Sequence, residues 1–302
     1  MEISRAKKAL SRFKRVVIWG FATYSDDSFR HIYKGFYDTA KALGVKTLWL
    51  DDTQQNNKLV KQDDLVIVAD MTAKYFRAKT GVYYCTHNFE PVQFKGMDPD
   101  KILHLQVYTD KCLKSSQKID IYRYFDKKTK TLYQPWGTNL MPNNFMEPVY
   151  PWYSPFVYWI GSIWDNALHQ GNLPEISQLK TSLFRHGKIL LNPKFVSDEE
   201  GIKLIRHSRI APAIGGSWQV KVNLLPCRLF KNISYGQLGI TNIAKFKELF
   251  GDSIIYHKHI SKVVDASLSL SKAEYISMVK SQQEIVKDYT YVSSLYHIAK
   301  LI

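Results

Sequence analysis

Apolar positions along the chain fall into two successive series of short strand-like runs alternating with helical stretches. Val16, Val17, Ile18 and Trp19 form a continuous apolar run, followed by a loop from Gly20 to Asp27 and helical periodicity from Ser28 to Leu43 that stops at Gly44. Strand-like runs recur at Val45 to Leu50, Leu65 to Ala69, Val82 to Cys85, His104 to Tyr108 and Ile119 to Phe125, with a short helix at Thr72 to Arg77. The Lys127 to Lys130 turn joins the last of these to Thr131–Tyr133 as a hairpin. Strands alternating with helices predict a parallel, doubly wound sheet.

The stretch from Gln134 to Pro155 is dense in Pro, Asn and Trp and has little periodicity, as a crossing between domains would. A second series then opens with Phe156 to Ile160 and a turn at Gly161-Ser162. It continues through a helix at Pro174 to Arg185, a strand at Lys188 to Leu191 and a helix to His207 that Ser197 and Glu200 cap. Arg209 to Ala213 reads as a strand, Leu224 to Tyr235 as a helix, Leu238 to Thr241 as a strand, Ala244 to Phe250 as a helix and Ser253 to Tyr256 as a strand. From Ser271, with Glu274 at capping-box spacing, a helical pattern runs to the C-terminus with a break near Asp288. The fold class expected is α/β, with two doubly wound, Rossmann-like domains at 1–148 and 149–285 and a terminal helix, 286–302, returning to the first. Such domains bind ligands at the carboxyl ends of their strands, in a cleft between them.

Composition narrows the partners. The chain has 302 residues, 45% of them hydrophobic, which excludes a disordered polyelectrolyte and allows a core without disulfides. The balance of 42 Lys and Arg against 27 Asp and Glu gives a net +15, which favours anionic partners. Three widely spaced cysteines suggest neither a disulfide framework nor a paired-cysteine zinc site, and point to the reducing cytoplasm. No apolar run approaches the roughly 18–20 residues that span a bilayer, and Val16 to Ala22 is too short for a signal-peptide core. Residues 1–15 place Ile3, Ala6, Leu10 and Phe13 at helical spacing among basic residues. That pattern suits either a peripheral foot on an anionic membrane or a terminal helix packed on its own domain.

The chemistry concentrates between Arg209 and Asn242, which reads as strand, glycine-containing loop, helix, glycine turn and strand. The Gly215-Gly216-Ser217 loop would offer backbone N–H groups, and Arg228 and Lys231 would add cations, a combination suited to a diphosphate. With Arg228-Leu229-Phe230-Lys231 running into Ser234-Tyr235-Gly236, this segment resembles the donor-site region of GT-B-fold glycosyltransferases, nearest to the CgeB-like branch of the family-one type. Tyr158 to Ser162 resembles the first strand and turn of that family's donor domain, and Gln134 to Asn139 its interdomain crossover. The resemblance implies a nucleotide-sugar donor site at Gly161, Ser162, Gly216, Ser217, Trp218, Arg228, Lys231, Asn232, Ser234, Tyr235 and Gly236. Many retaining members carry two glutamates eight positions apart, where this chain has Asn223 and Lys231, so their mechanism is not carried over.

A general base is expected after the first strand, where Asp26, Asp27 and His31 are the catalytic candidates and Tyr24 and His87 face the acceptor. The aspartates also suit the cap of the following helix. Asp98-Pro99-Asp100 has metal-site spacing but reads as a turn, His257 and His259 lack a third ligand, and Asn232-Ile233-Ser234 is a chance glycosylation match. The expected activity is a hexosyl- or pentosyltransferase, needing no metal or other cofactor, that moves a sugar from a nucleotide-diphosphate donor to a glycan or lipid-linked acceptor. No nucleic-acid partner is expected of it. The competing readings are a basic nucleic-acid-binding protein, which the charge and interleaved aromatics would suit, and a catalytically inactive scaffold.

Overall fold

A computed structural model of the chain describes residues 2–23, 28–69, 75–87, 94, 96–107, 124–194, 196–222 and 224–302. The chain divides into two compact units: one takes the residues up to Val107, the stretch ending at Gln134 and Thr290–Ile302, and the other takes Pro135–Tyr289. Residues 135–148, expected with the first domain, therefore go with the second unit. Backbone bonds explain the shift: Met146 N–H donates to Ser234 O (2.9 Å), Val149 N–H to Gly236 O (3.0 Å) and Thr138 N–H to Tyr289 O (2.8 Å).

The first unit contains α1 (Glu2–Leu10), β1 (Arg15–Trp19), α2 (Ser28–Ala42), β2 (Thr47–Leu50), β3 (Asp64–Val68), β4 (Tyr83–His87), β5 (Ile102–Gln106), β6 (Tyr124–Asp126) and β7 (Thr131–Tyr133), and the chain's last helix, α10 (Tyr291–Leu301). Among the described residues they form a seven-stranded sheet of order β2-β1-β3-β4-β5-β7-β6. All pairings are parallel except the expected β6–β7 hairpin. The central strands β1 and β3 are apolar on both faces because both are covered. On one face Val17, Trp19, Val66, Val68, Phe76, Tyr84 and Phe94 build an aromatic-rich core. The first half of the short helix expected at Thr72 to Arg77 falls outside the described residues. At the sheet's amino end Arg15 forms a two-pronged ion pair with the buried Asp64, at 2.8 and 2.9 Å.

Helix α2 lies against β1 and β2, and α10 packs on both α1 and α2. The stripe that suggested a membrane foot is thus spent inside the protein: Ala6 and Leu10 are fully buried and Phe13 nearly so, while Arg5, Lys7, Lys8 and Arg12 face solvent. Among the described residues, most of the apolar stripe of α1 is taken up by packing within the first unit. The break expected near Asp288 falls between α9 (Lys272–Val286) and α10, where Thr290 Oγ1 accepts from Ser293 N–H as an N-cap.

The second unit contains β8 (Phe156–Tyr158), α3 (Leu173–Arg185), β9 (Ile189–Leu191), α4 (Asp198–His207), β10 (Ala211–Ala213), α5 (Ser217–Lys221), α6 (Cys227–Ser234), β11 (Gly239–Thr241), α7 (Ala244–Phe250), β12 (Ile255–Tyr256), α8 (Ile260–Leu268) and α9. Parallel strands β10-β11-β12 form one ladder and β8-β9 another. Pro212 removes a ladder donor from β10. The two ladders meet instead just before it, where Arg209 N–H donates to Phe156 O (2.8 Å) and Tyr158 N–H to Ser208 Oγ (2.9 Å). The Ser197 and Ser271 caps stand as expected. Helix α6 starts three residues later than expected, after Pro226 at its N-cap. Helix α8 was not foreseen: it follows the His257-Lys258-His259 segment, in which His259 N–H donates to His257 Nδ1 at 2.9 Å.

A methyl at Gly35 of α2 would overlap the Tyr291 ring of α10, which also stands edge-on to Phe36 at 4.8 Å. We expect Gly35→Ala to cost about 1–3 kcal/mol by overpacking. A urea titration checks it; an unchanged midpoint would mean that α10 is not clasped to α2 in this way.

Candidate functional site

In open α/β sheets the ligand crevice opens where strand order reverses. In the first unit that point lies between β1 and β3, and in the second between β8 and the start of β10. The loop after β8 contains the exposed Gly161 and Ser162, with Gly161 at φ +133°. Asn192, immediately after β9, pins this loop by donating from Nδ2 to Trp159 O (2.7 Å) and Gly161 O (3.0 Å).

Arg228, in the first turn of α6, reaches the same loop. Its Nε donates to Ile160 O (3.1 Å), its guanidinium carbon lies 3.6 Å from the centre of the Trp159 ring, and a Cβ on Gly161 would collide with it. Glycine at 161 is thus required twice, by backbone conformation and by the arginine. Burial lowers the guanidinium to about 10, which leaves it charged at neutral pH. Among the described residues no carboxylate pairs with Arg228 and its Nη groups have no hydrogen-bond partner. Lys231 is half-buried one turn later on the same helix, also without an ion pair among the described residues. Arg228 and Gly161 therefore meet at the carboxyl end of β8, with Lys231 one turn further along α6.

The remaining expected donor residues do other work. In the glycine loop Gly215 N–H donates to Asn242 Oδ1 (2.9 Å), Gly216 N–H to Gln219 Oε1 (2.9 Å) and Ser217 N–H to Glu175 Oε1 (3.1 Å). The predicted phosphate cradle is filled by the protein's own side chains, one of them a carboxylate. Trp218 is half-buried within the short α5. Asn232 is buried and ties α6 to β10 through Ala211 O (3.0 Å), which is also why its glycosylation pattern has no meaning here. Ser234 is fully buried, with Oγ bonded to Thr138 Oγ1 (2.7 Å) and Lys231 O (2.8 Å). Tyr235 donates its hydroxyl to Asn139 Oδ1 (2.7 Å), and burial raises its phenol far above the usual range. Gly236 has φ +85°, and a Cβ there would strike Glu147 O. Ser234, Tyr235 and Gly236 thus clasp the crossing segment rather than a phosphate.

In the first unit Tyr24, Asp26 and Asp27 lie outside the described residues, as does Asn223 in the second. The loop that holds the first three is framed by Trp49 Nε1 donating to Gly20 O (2.8 Å) and Thr23 N–H donating to Asp51 Oδ1 (2.8 Å). His31 is exposed on α2. His87 ends β4 instead of following it, and is 2% exposed with Nδ1 3.3 Å from Tyr33 Oη. Burial lowers its imidazole to about 4, so it is neutral at physiological pH and closed to an acceptor as it stands. Asp98 accepts from Asp100 N–H (3.0 Å) and Asp100 pairs with Lys130 (2.8 Å), the turn that was expected. The sequence reading missed Asn192, Asn242 and Glu175. The two asparagines share one signal: each directly follows the last residue of a short parallel strand.

No protein-family profile matches the sequence, and no curated protein matches it either. Solved structures do. OtsA in its apo form is 10% identical with a TM-score of 0.53, covering 95% of this chain and 99% of that one. The E. coli structure titled "Trehalose-6-phosphate from E. coli bound with UDP-2-fluoro glucose" is 10% identical with a TM-score of 0.55, covering 95% and 98%. The likeness is one of fold, and the chain has the mixed α/β GT-B fold.

Ser234→Ala should lower stability by about 1–2 kcal/mol, since it removes a fully buried hydroxyl bonded to both Thr138 and Lys231 O, and leave nucleotide affinity unchanged. Paired denaturation and titration separate the two effects. For His87 the folded value lies below the ordinary 6.5, so its contribution is full above 6.5 and is lost as pH falls towards 4. We expect about 3 kcal/mol less stability across that window, flattened in His87→Phe, as read by melting at stepped pH.

Proposed function

We propose that the chain is a glycosyltransferase that moves a sugar from a nucleotide-diphosphate donor to a glycan or lipid-linked acceptor, with the donor held by the second unit. The observation that carries this reading is Arg228, a charged guanidinium without a carboxylate partner among the described residues, fixed at the carboxyl end of β8 by Ile160 O and Trp159. A fold shared with OtsA, and with a structure bound to UDP-2-fluoro glucose, supports the same reading.

Sugar transfer builds negative charge on the departing diphosphate, and cations already in place stabilise it without reorganising. Arg228 supplies a forked donor and Lys231 a point charge on the same helix face. Gly161 and Ser162, exposed beside that guanidinium, are assigned to the phosphates. In this reading the cations do what a nucleotide-bound metal does elsewhere: Asp98 and Asp100, whose spacing would suit a metal, are engaged by a turn and by Lys130. The base that takes the acceptor proton is assigned to Asp26, Asp27 or His31, in the loop and helix that follow β1. The lysine at 231 removes the carboxylate that would hold the donor ribose in retaining relatives, so ribose recognition falls to other groups.

Arg228→Ala should weaken binding of nucleoside diphosphates about tenfold to a hundredfold, the loss of one or two charge-assisted hydrogen bonds. Arg228→Lys should recover part of it. Calorimetric titration across nucleoside diphosphates and nucleotide sugars, with ligand-free melting of each variant as the folding control, reads both. Donor binding without transfer to any acceptor would identify a scaffold instead; oligonucleotide binding without nucleotide-sugar binding would overturn the reading altogether.

A further inference from the structure

One end of the second unit's sheet exposes large apolar side chains that the fold leaves uncovered. Trp152 is 67% exposed, Tyr153 66%, Phe184 78%, Ile189 50% and Phe156 36%. They come from two segments that the backbone stitches together. Ile189 N–H donates to Pro155 O (2.9 Å), Lys188 Nζ donates to Ser154 O (2.9 Å), and Phe156 stands opposite Ile189 in the β8–β9 register. Phe184 belongs to the same edge, because Lys188 N–H returns to Leu183 O (3.0 Å) through a turn at Gly187, φ +65°.

The chemistry of these segments selects among occupants. Residues 150–156 and 184–189 contain Arg185, His186 and Lys188 and no Asp, Glu, Asn or Gln. Glycan sites set aromatic rings beside carboxylates or amides free to bond sugar hydroxyls, and the carboxylate that reaches this patch, Asp265, is engaged by His186 Nε2 at 2.9 Å. A second copy seated on it would bring the cations of both copies together in a chain already at +15. Tryptophan and tyrosine beside lysine and arginine, around exposed Phe and Ile, is the composition that settles at the interface of a lipid bilayer, and the cations favour anionic headgroups.

We propose that this edge is a membrane-docking surface that seats Trp152, Tyr153 and Phe184 in the interfacial layer of an anionic phospholipid bilayer, with Arg185 and Lys188 among the headgroups. It replaces the role first read into α1, whose apolar stripe is buried, and it stands independently of the transferase reading.

The test uses the full chain with vesicles of phosphatidylcholine alone and of phosphatidylcholine mixed with phosphatidylglycerol. The chain should co-sediment with the anionic vesicles, and its tryptophan emission should shift to shorter wavelength. Trp152→Ser with Phe184→Ser should weaken partitioning about tenfold or more. Trp152→Phe should keep binding while losing most of the emission shift, and Arg185→Glu should weaken binding to anionic vesicles alone. All three positions are exposed, and an unchanged melting temperature confirms that each variant folds. The proposal fails if neither vesicle retains the chain or if the double variant binds as well as wild type. It also fails if sedimentation velocity shows a dimer that the double variant dissolves, or if the patch variants lose an oligonucleotide instead of the vesicles.

Discussion

Helix α6 is held at both ends, and the second unit is organised around that. At its first turn Arg228 fastens it to the loop after β8 through Ile160 O and Trp159. At its last turn Ser234, Tyr235 and Gly236 bond Thr138, Met146, Asn139 and Val149 of the crossing segment. Between the two, Leu229, Phe230 and Ile233 are fully buried, and Gly239 of β11 lets Ile233 approach the strand more closely than a side chain would permit. A helix fixed in this way cannot slide or tilt without breaking one end. Arg228 is thereby held in place at one end, and the side chains of Ser234 and Tyr235 are committed to the crossing segment at the other.

The short strands of this unit need help from side chains. Strand β11 spans three residues, yet Gln282 Oε1 accepts from Gly239 N–H (2.8 Å) while its Nε2 donates to Gly239 O (3.0 Å) and Ser253 O (2.7 Å). Gln237 donates to Arg206 O and Ser208 O, both at 3.0 Å, and accepts from Tyr275, whose hydroxyl in turn accepts from Leu238 N–H (3.1 Å). Each of these groups is buried, and a buried amide or hydroxyl left without a partner would cost more than the bond returns. The network fixes α9 against β11 and so positions the helix that precedes α10.

What the sequence made legible is what neighbouring residues decide. The caps at Ser197 and Ser271, the stop of α2 at Gly44, the Asp98 turn and the β6–β7 hairpin each depend on residues within one turn. The Gly215 to Ser217 loop failed as a phosphate cradle because its donors are taken by Asn242 and Glu175, remote along the chain and brought there by tertiary packing. Ser234 looked like a ligand group for the same reason: only the return of Thr138 shows it to be a structural tie. The stripe of α1 was correctly amphipathic, but periodicity cannot say whether such a face meets lipid or the last helix of the same chain. Arg228 and Gly161 each stood out in the sequence, yet their mutual contact, which makes the glycine obligatory, was not legible there.

The disposition of the arginines explains how an excess of positive charge is carried without unfolding the chain. Arg15 is neutralised by Asp64. Arg206 donates to Glu147 O and Tyr235 O, Arg209 lies 4.9 Å over the Tyr150 ring beside Leu268 O, and Arg228 rests on Trp159 beside Ile160 O. Carbonyl dipoles and ring faces steady a buried guanidinium but do not cancel its charge. Burial accordingly lowers both Arg206 and Arg228 below the ordinary arginine range. A carboxylate beside Arg228 would stabilise the unliganded protein and would have to be displaced by any incoming phosphate. Its place is taken by a carbonyl and an indole: Ile160 O accepts from Nε and the Trp159 ring lies under the guanidinium.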